Sequence, residues 1–222
     1  MLKSSKRLKH ISPLLYAFER LFALFSLLSL ADLLFGPRED FDRTRTSVQK
    51  VRVTVHRGRQ IEAYVVIWLV VEIACAIFVS NNPAFVPWLF RCVFAYRIFE
   101  AMQAQLNLNV FSSLRTHGRP PRVASLARTV VLSLLNFLEL MLCFGAIYSS
   151  DSSLLKDAAA WYDPYYLSVM TQMTVGYGDI SPLGGLRAVA AAQAICGFIL
   201  AVIVIGRLVA FLPKTEPILR GR

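Results

Sequence analysis

Residues 174 to 178 read Thr-Val-Gly-Tyr-Gly, and Asp179 follows. The atoms of interest here are backbone carbonyl oxygens. Successive carbonyls can point one way only if alternate residues reach left-handed dihedrals, which glycine does without steric cost; Gly176 and Gly178 meet that need. Carbonyls aimed at a common axis can replace the water shell of a dehydrated alkali cation. They must match the energy of hydration without holding the ion so tightly that it stays. Four copies meeting on one axis would stack cages from the carbonyls of Thr174, Val175, Gly176 and Tyr177, joined by the Thr174 hydroxyl. The plain alternative is a glycine-rich turn, and the flanking segments decide against it.

Apolar runs occur near 13–35, 63–80, 85–107, 129–149 and 187–211. A membrane-spanning helix needs roughly 20 apolar residues, and the last four runs qualify. The stretch 160–172 is shorter and carries Asp163-Pro164 near its start. Proline suits the first turn of a helix. The pattern predicts a half-membrane helix that returns through 174–179. Irregular backbone is tolerated at membrane depth only where it lines a protected cavity. That constraint favours a pore over an ordinary loop.

At this point the chain resembles the tetrameric pore-loop potassium channels. The resemblance rests on Thr174-Val175-Gly176-Tyr177-Gly178-Asp179 within a pair of apolar segments, covers about Thr129 to Phe211, and fades upstream. It implies an outer helix, a pore helix, a selectivity filter and an inner helix, assembled as a homotetramer. It implies transported potassium ions at Thr174, Val175, Gly176 and Tyr177 and no organic cofactor. Asp179 would sit at the outer mouth and brace the loop, and Thr171 is a candidate partner for the Tyr177 hydroxyl. Gly197 stands where the family often has a hinge glycine; close packing is the rival reading. Phe198, Ala201 and Ile205 share a helical face and are candidates for lining the inner cavity. Met173 and Met170 depart from the family, which commonly has a small residue at the first position and a polar or acidic one at the second. Both departures bear on how the filter is held open.

Composition fits a membrane protein. The 222 residues are 56% hydrophobic, against roughly 45–50% apolar in soluble domains. The net charge of +10 could suggest nucleic acid. The basic residues instead cluster in linkers, as they do on the cytoplasmic side of membrane spans, so no nucleic-acid partner is expected. Cys75, Cys92, Cys143 and Cys196 lie in apolar stretches without metal-ligand spacing and read as small buried side chains. His10, His56 and His117 sit in basic segments and do not converge, and no nucleophile and base pair up. An enzyme is not expected.

The arginine-rich linkers 36–60 and 112–128 and the tail carrying Lys214, Arg220 and Arg222 are expected in the cytoplasm. The uncharged turn 81–86 and the acidic region 150–186 are expected outside. The predicted organisation is a basic tail, amphipathic helix and linker (1–60), a transmembrane hairpin (61–111), a linker (112–128), a pore domain (129–213) and a short tail (214–222). With eleven residues beyond Phe211, no C-terminal ligand-sensing domain is expected.

Both flanks of 13–35 are basic, and Glu19, Arg20 and Asp32 interrupt it. A helix lying in the inner interface is favoured, with a fifth span as the alternative. A signal peptide cleaved near Ser29-Leu30-Ala31 would put the filter in the cytoplasm and is rejected. Val51, Val53 and Val55 alternate with polar residues in a strand period. The basic 36–60 linker is expected to touch anionic membrane lipid.

Intramembrane charges usually pair. Glu72 is expected to pair with Arg91 or Arg97 across the hairpin. The sharper alternative is a voltage sensor, but two arginines fall short of the roughly 3–4 charges per subunit of a strong one. The fold class expected is therefore an all-α membrane protein in the plasma membrane, with the filter facing outward. The function expected is passive potassium conduction. The alternatives are a voltage-gated channel with a reduced sensor, an uptake transporter subunit, and a non-conducting scaffold or regulatory subunit. One intact filter in a short chain argues against a transporter, which usually repeats a degenerate filter. A separate regulatory subunit is a conceivable partner, and the gating stimulus is not legible.

Overall fold

A computed structural model describes residues 62–78, 88–107, 109 and 126–211. The expected interfacial helix at 13–35, the 36–60 linker with its strand pattern, most of the 112–128 linker and the tail from 214 lie outside the described residues. Residues 62–78 form helix α1. Trp88–Leu106 form α2, Leu126–Ser149 α3, Asp163–Gln172 α4 and Leu186–Phe211 α5. Strands β1 (Leu155–Lys156) and β2 (Ser181–Pro182) pair antiparallel, Leu155 opposite Pro182. They join the loop before α4 to the loop after residue 179.

Helix α3 is the axis of packing. Leu140, Cys143, Phe144 and Tyr148 are buried between Phe94 and Ile98 of α2, Leu167 of α4 and Leu200 of α5. Two of the described helices are long and apolar enough to cross a membrane, Ala127–Ser149 and Leu186–Val209. Helix α2 has 19 residues but carries Arg91, Arg97 and Glu100, which lower its mean hydropathy. Helix α3 begins at Leu126, three residues before the boundary expected from the apolar run.

Polar ties mark the two ends of the bundle. Arg128 bonds Glu62 at 2.6 Å, and Arg207 Nε donates to Asn109 Oδ1 at 2.7 Å. At the opposite end Arg91 grips Asp151 through two contacts of 2.6 and 2.7 Å and donates to the Ser150 carbonyl. Helices α1 and α3 therefore run one way, and α2 and α5 run the other.

Gly145 lets α4 lie against α3. A Cβ there would meet the Tyr165 ring, with Cε1 at 2.9 Å and Cγ at 3.0 Å. The ring is a rigid wall, so the helices must part. Gly145→Ala is expected to cost about 1–3 kcal/mol, the usual penalty of overpacking. The check is the thermal midpoint of the detergent-solubilised protein, which should fall. An unchanged midpoint would show that Tyr165 can turn away freely.

Candidate functional site: the 174–178 loop and its supports

Helix α4 aims the loop. Pro164 occupies its first turn. Asp163 does not cap α4; its Oδ2 accepts from the amides of Ala159 and Ala160 at 2.6 and 2.7 Å, fixing the approach to the helix. At the other end the Met170 carbonyl accepts from the Val175 amide at 2.9 Å and the Gly176 amide at 3.3 Å. The Thr174 amide donates to Thr171 O at 3.2 Å. The amides of these three residues thus leave the helix already bound to its last turn.

The backbone alternates beyond that point. Thr174, Gly176 and Gly178 have φ of +57°, +57° and +79°. Val175 and Tyr177 between them do not. The left-handed value at Thr174 was not legible, because a β-branched residue rarely adopts it. It costs roughly 1–2 kcal/mol, and such strain persists only where surrounding bonds impose it. The Thr171 and Met170 carbonyls supply those bonds. The side chains of Met173, Val175 and Tyr177 are exposed, Tyr177 at 71%. Asp179 accepts a hydrogen bond from the Tyr166 hydroxyl at 2.8 Å. This partner of Asp179 on α4 was missed in the sequence, where Thr171 was expected to partner the Tyr177 hydroxyl.

A buried polar set lies behind the loop. Gln193 of α5 is fully buried and touches Ser168 and Gln172 of α4 and Tyr148 of α3. None of these was singled out from the sequence. The signal was available: a lone glutamine in an apolar helix must find partners. Gly197 follows one turn later. A Cβ there would meet Gln172 Cγ at 2.9 Å and its Cα at 3.5 Å, so the position is closely packed. Phe198 and Ile205 are exposed, and Ala201 is half-buried. Ile195, Phe198, Val202, Ile205 and Val209 form one uncovered apolar stripe.

A second cluster ties the hairpin to α3. Arg97 is buried and meets Glu139 through two hydrogen bonds of 2.8 Å, Glu100 at 2.9 Å and Glu72 at 3.8 Å. Its guanidinium also lies 5.3 Å from the ring centroids of Tyr64 and Trp68. The Tyr64 hydroxyl donates to Glu100, and the Cys143 thiol to Glu72. Glu72 and Arg97 do approach each other, yet Glu139 and Glu100 are the nearer partners. Arg91 reaches Asp151 and not Glu72. No group of three or more metal-ligating side chains occurs among the described residues.

This arrangement sits within a matched family segment. Residues 136–214 match the family model described as "Ion channel". The segment begins in α3 and includes α4, the 174–179 loop and α5. The chain is also similar to Protein LctB of Bacillus caldotenax, 35% identical over 86 residues, covering 33% of this chain and 64% of the relative. Protein LctB of Geobacillus stearothermophilus is 45% identical over 47 residues, covering 21% of this chain and 35% of that protein. The chain thus spans less than two thirds of the curated relatives it matches. No solved structure matches significantly. The chain thus carries a segment that matches an ion-channel family model and, among the described residues, two helices long and apolar enough to cross a membrane.

Proposed function

We propose that the chain is the subunit of a homotetrameric potassium-selective channel, passing ions passively through the carbonyls of Thr174, Val175, Gly176 and Tyr177. The observation that carries this reading is the alternation of left-handed residues at 174, 176 and 178. Carbonyls in such a run can face one side in succession, which a cation shedding its water requires. The exposed Met173, Val175 and Tyr177 around the 174–178 loop support neighbouring subunits about a shared axis, and the apolar stripe on α5 is a face open to a partner helix or to lipid. Asp179 and Tyr166 brace the outer mouth. Potassium is cargo here, with no resident cofactor. The membrane is the plasma membrane, with the filter facing outward, and the chemistry is not enzymatic.

The fixed arginines favour weak voltage dependence. Arg91 is tied to the end of α3 and Arg97 to its middle. A sensor must move its charges across the membrane field, and these two are bound to the wall of the pore.

Planar-bilayer recording in asymmetric potassium and sodium chloride tests both points. The current should reverse near the potassium equilibrium potential, and open probability should change only shallowly with voltage. Reversal midway between the two ions would refute the filter reading. Steep voltage dependence would refute the fixed arginines.

A further inference from the structure

Gln193 sits in the run Ala188 to Ala194, surrounded by small apolar residues, and is fully buried. Its side-chain oxygen accepts from the Tyr148 hydroxyl at 2.8 Å. Its nitrogen lies 2.7 Å from Ser168 Oγ, 2.8 Å from Ser168 O and 3.2 Å from Gln172 Oε1. Two N–H groups therefore serve three acceptors on α4. The partners are themselves anchored. The Ser168 hydroxyl donates to the Met141 carbonyl at 2.7 Å, and Gln172 Nε2 donates to the Phe137 carbonyl at 2.8 Å. One side chain of α5 thus closes a polar network across α3, α4 and α5, away from water.

The network converges on the last turn of α4. Gln172 lies two residues before Thr174, and the Met170 carbonyl beside it holds the Val175 and Gly176 amides. Gly197 places the α5 backbone directly against Gln172. Gln172 is therefore seated between Gly197 below and Gln193 beside it, and cannot shift without breaking bonds to both α3 and α5. Packing alone would not need a glutamine here. A leucine fills such a space without demanding partners, whereas a buried amide is costly unless every polar atom is matched.

We propose that Gln193 is a positioning residue for ion passage, fixing the last turn of α4 and through it the dihedrals of 174–176. The proposal rests on the reading of 174–178 as a conduction filter. Gln193 touches no ion; it acts through Gln172 and Ser168.

The test is single-channel recording in symmetrical potassium chloride of three variants, alongside the thermal midpoint of each assembly. Gln193→Met keeps length and bulk but removes every hydrogen bond. Its mean open lifetime should fall by about tenfold or more, since two or more bonds are lost. Tyr148→Phe removes one bond and should shorten the lifetime by about fivefold or less. Gln193→Met combined with Tyr148→Phe should be no worse than Gln193→Met alone, because the Tyr148 hydroxyl serves Gln193.

Unchanged lifetimes in Gln193→Met and Tyr148→Phe, with a lowered thermal midpoint, would make the network structural glue and overturn the proposal. If Gln193→Met does not assemble, Tyr148→Phe decides by the same criterion. Open lifetime is defined for any conducting pore. A pore that passed sodium as readily as potassium would refute the filter reading alone and leave this comparison legible.

Discussion

Arg97→Met is expected to abolish assembly or leave a protein that melts far below the unmodified one. Among the described residues Arg97 is the one cation between Glu72, Glu100 and Glu139, and all four side chains are at least 97% buried. Methionine can fill the space but returns no charge. Removing one partner from a buried ion pair costs about 3–5 kcal/mol, because an uncompensated charge is left behind. Whole-domain stabilities are only about 5–15 kcal/mol, so the loss is large in proportion. Lysine at 97 should rescue in part, since an ammonium cannot reproduce the forked contact with Glu139. Neutralising Glu139 in the same chain (Arg97→Met with Glu139→Gln) should also recover some assembled protein. Size-exclusion yield and thermal midpoint measure all three. If Arg97→Met assembled and melted like the parent, the cluster would not be what holds the hairpin to α3.

Gly178→Ala should remove discrimination between potassium and sodium while the protein still assembles. The residue has φ of +79°, and alanine in that region costs roughly 1–2 kcal/mol in each subunit. No atom of the same chain lies within 4 Å of an added Cβ, so the defect would come from the backbone and not from crowding within the subunit. Summed over the proposed tetramer the strain is on the order of 4–8 kcal/mol. A tenfold preference between ions needs only about 1.4 kcal/mol. The loop would therefore relax before it bore that load, and its carbonyls would turn from the axis. Gly185→Ala is the control: that site has similar open space and no left-handed requirement, and its selectivity should match the parent. The reversal potential in mixed solutions reads both variants. Retained selectivity in Gly178→Ala would show that the carbonyls do not depend on this dihedral.

The frame around 174–178 was largely legible because its signals are local. The stretch expected at 160–172 forms α4 at Asp163–Gln172, starting three residues later at the Asp163-Pro164 pair, and the apolar runs located α3 and α5 within three residues at the described boundaries. The glycines announced where left-handed backbone would be needed, but Thr174 could not be foreseen, since its dihedral is imposed by carbonyls of the preceding turn. The supporting contacts were illegible for a different reason. Tyr166 and Asp179 are 13 positions apart, and Gln193 and Tyr148 are 45 apart. Their meeting depends on helix rotation, which an evenly apolar sequence does not fix. The run Ala188 to Ala194 is otherwise made of small apolar residues, and the glutamine inside it was passed over. For Arg97, the hairpin partner Glu72 was visible, while Glu139 lay on an element whose side of contact no periodicity revealed.

The placement of Glu139 bears on how such a chain can be inherited. It lies inside the segment that matches the channel family, whereas Arg97, its counter-charge, lies 42 positions upstream and outside it. Recombination that carried residues 136–214 alone into a new context would transplant a buried carboxylate stripped of its cation. The heritable unit is therefore larger than the family boundary. Either the hairpin travels with the pore, or position 139 must first lose its charge.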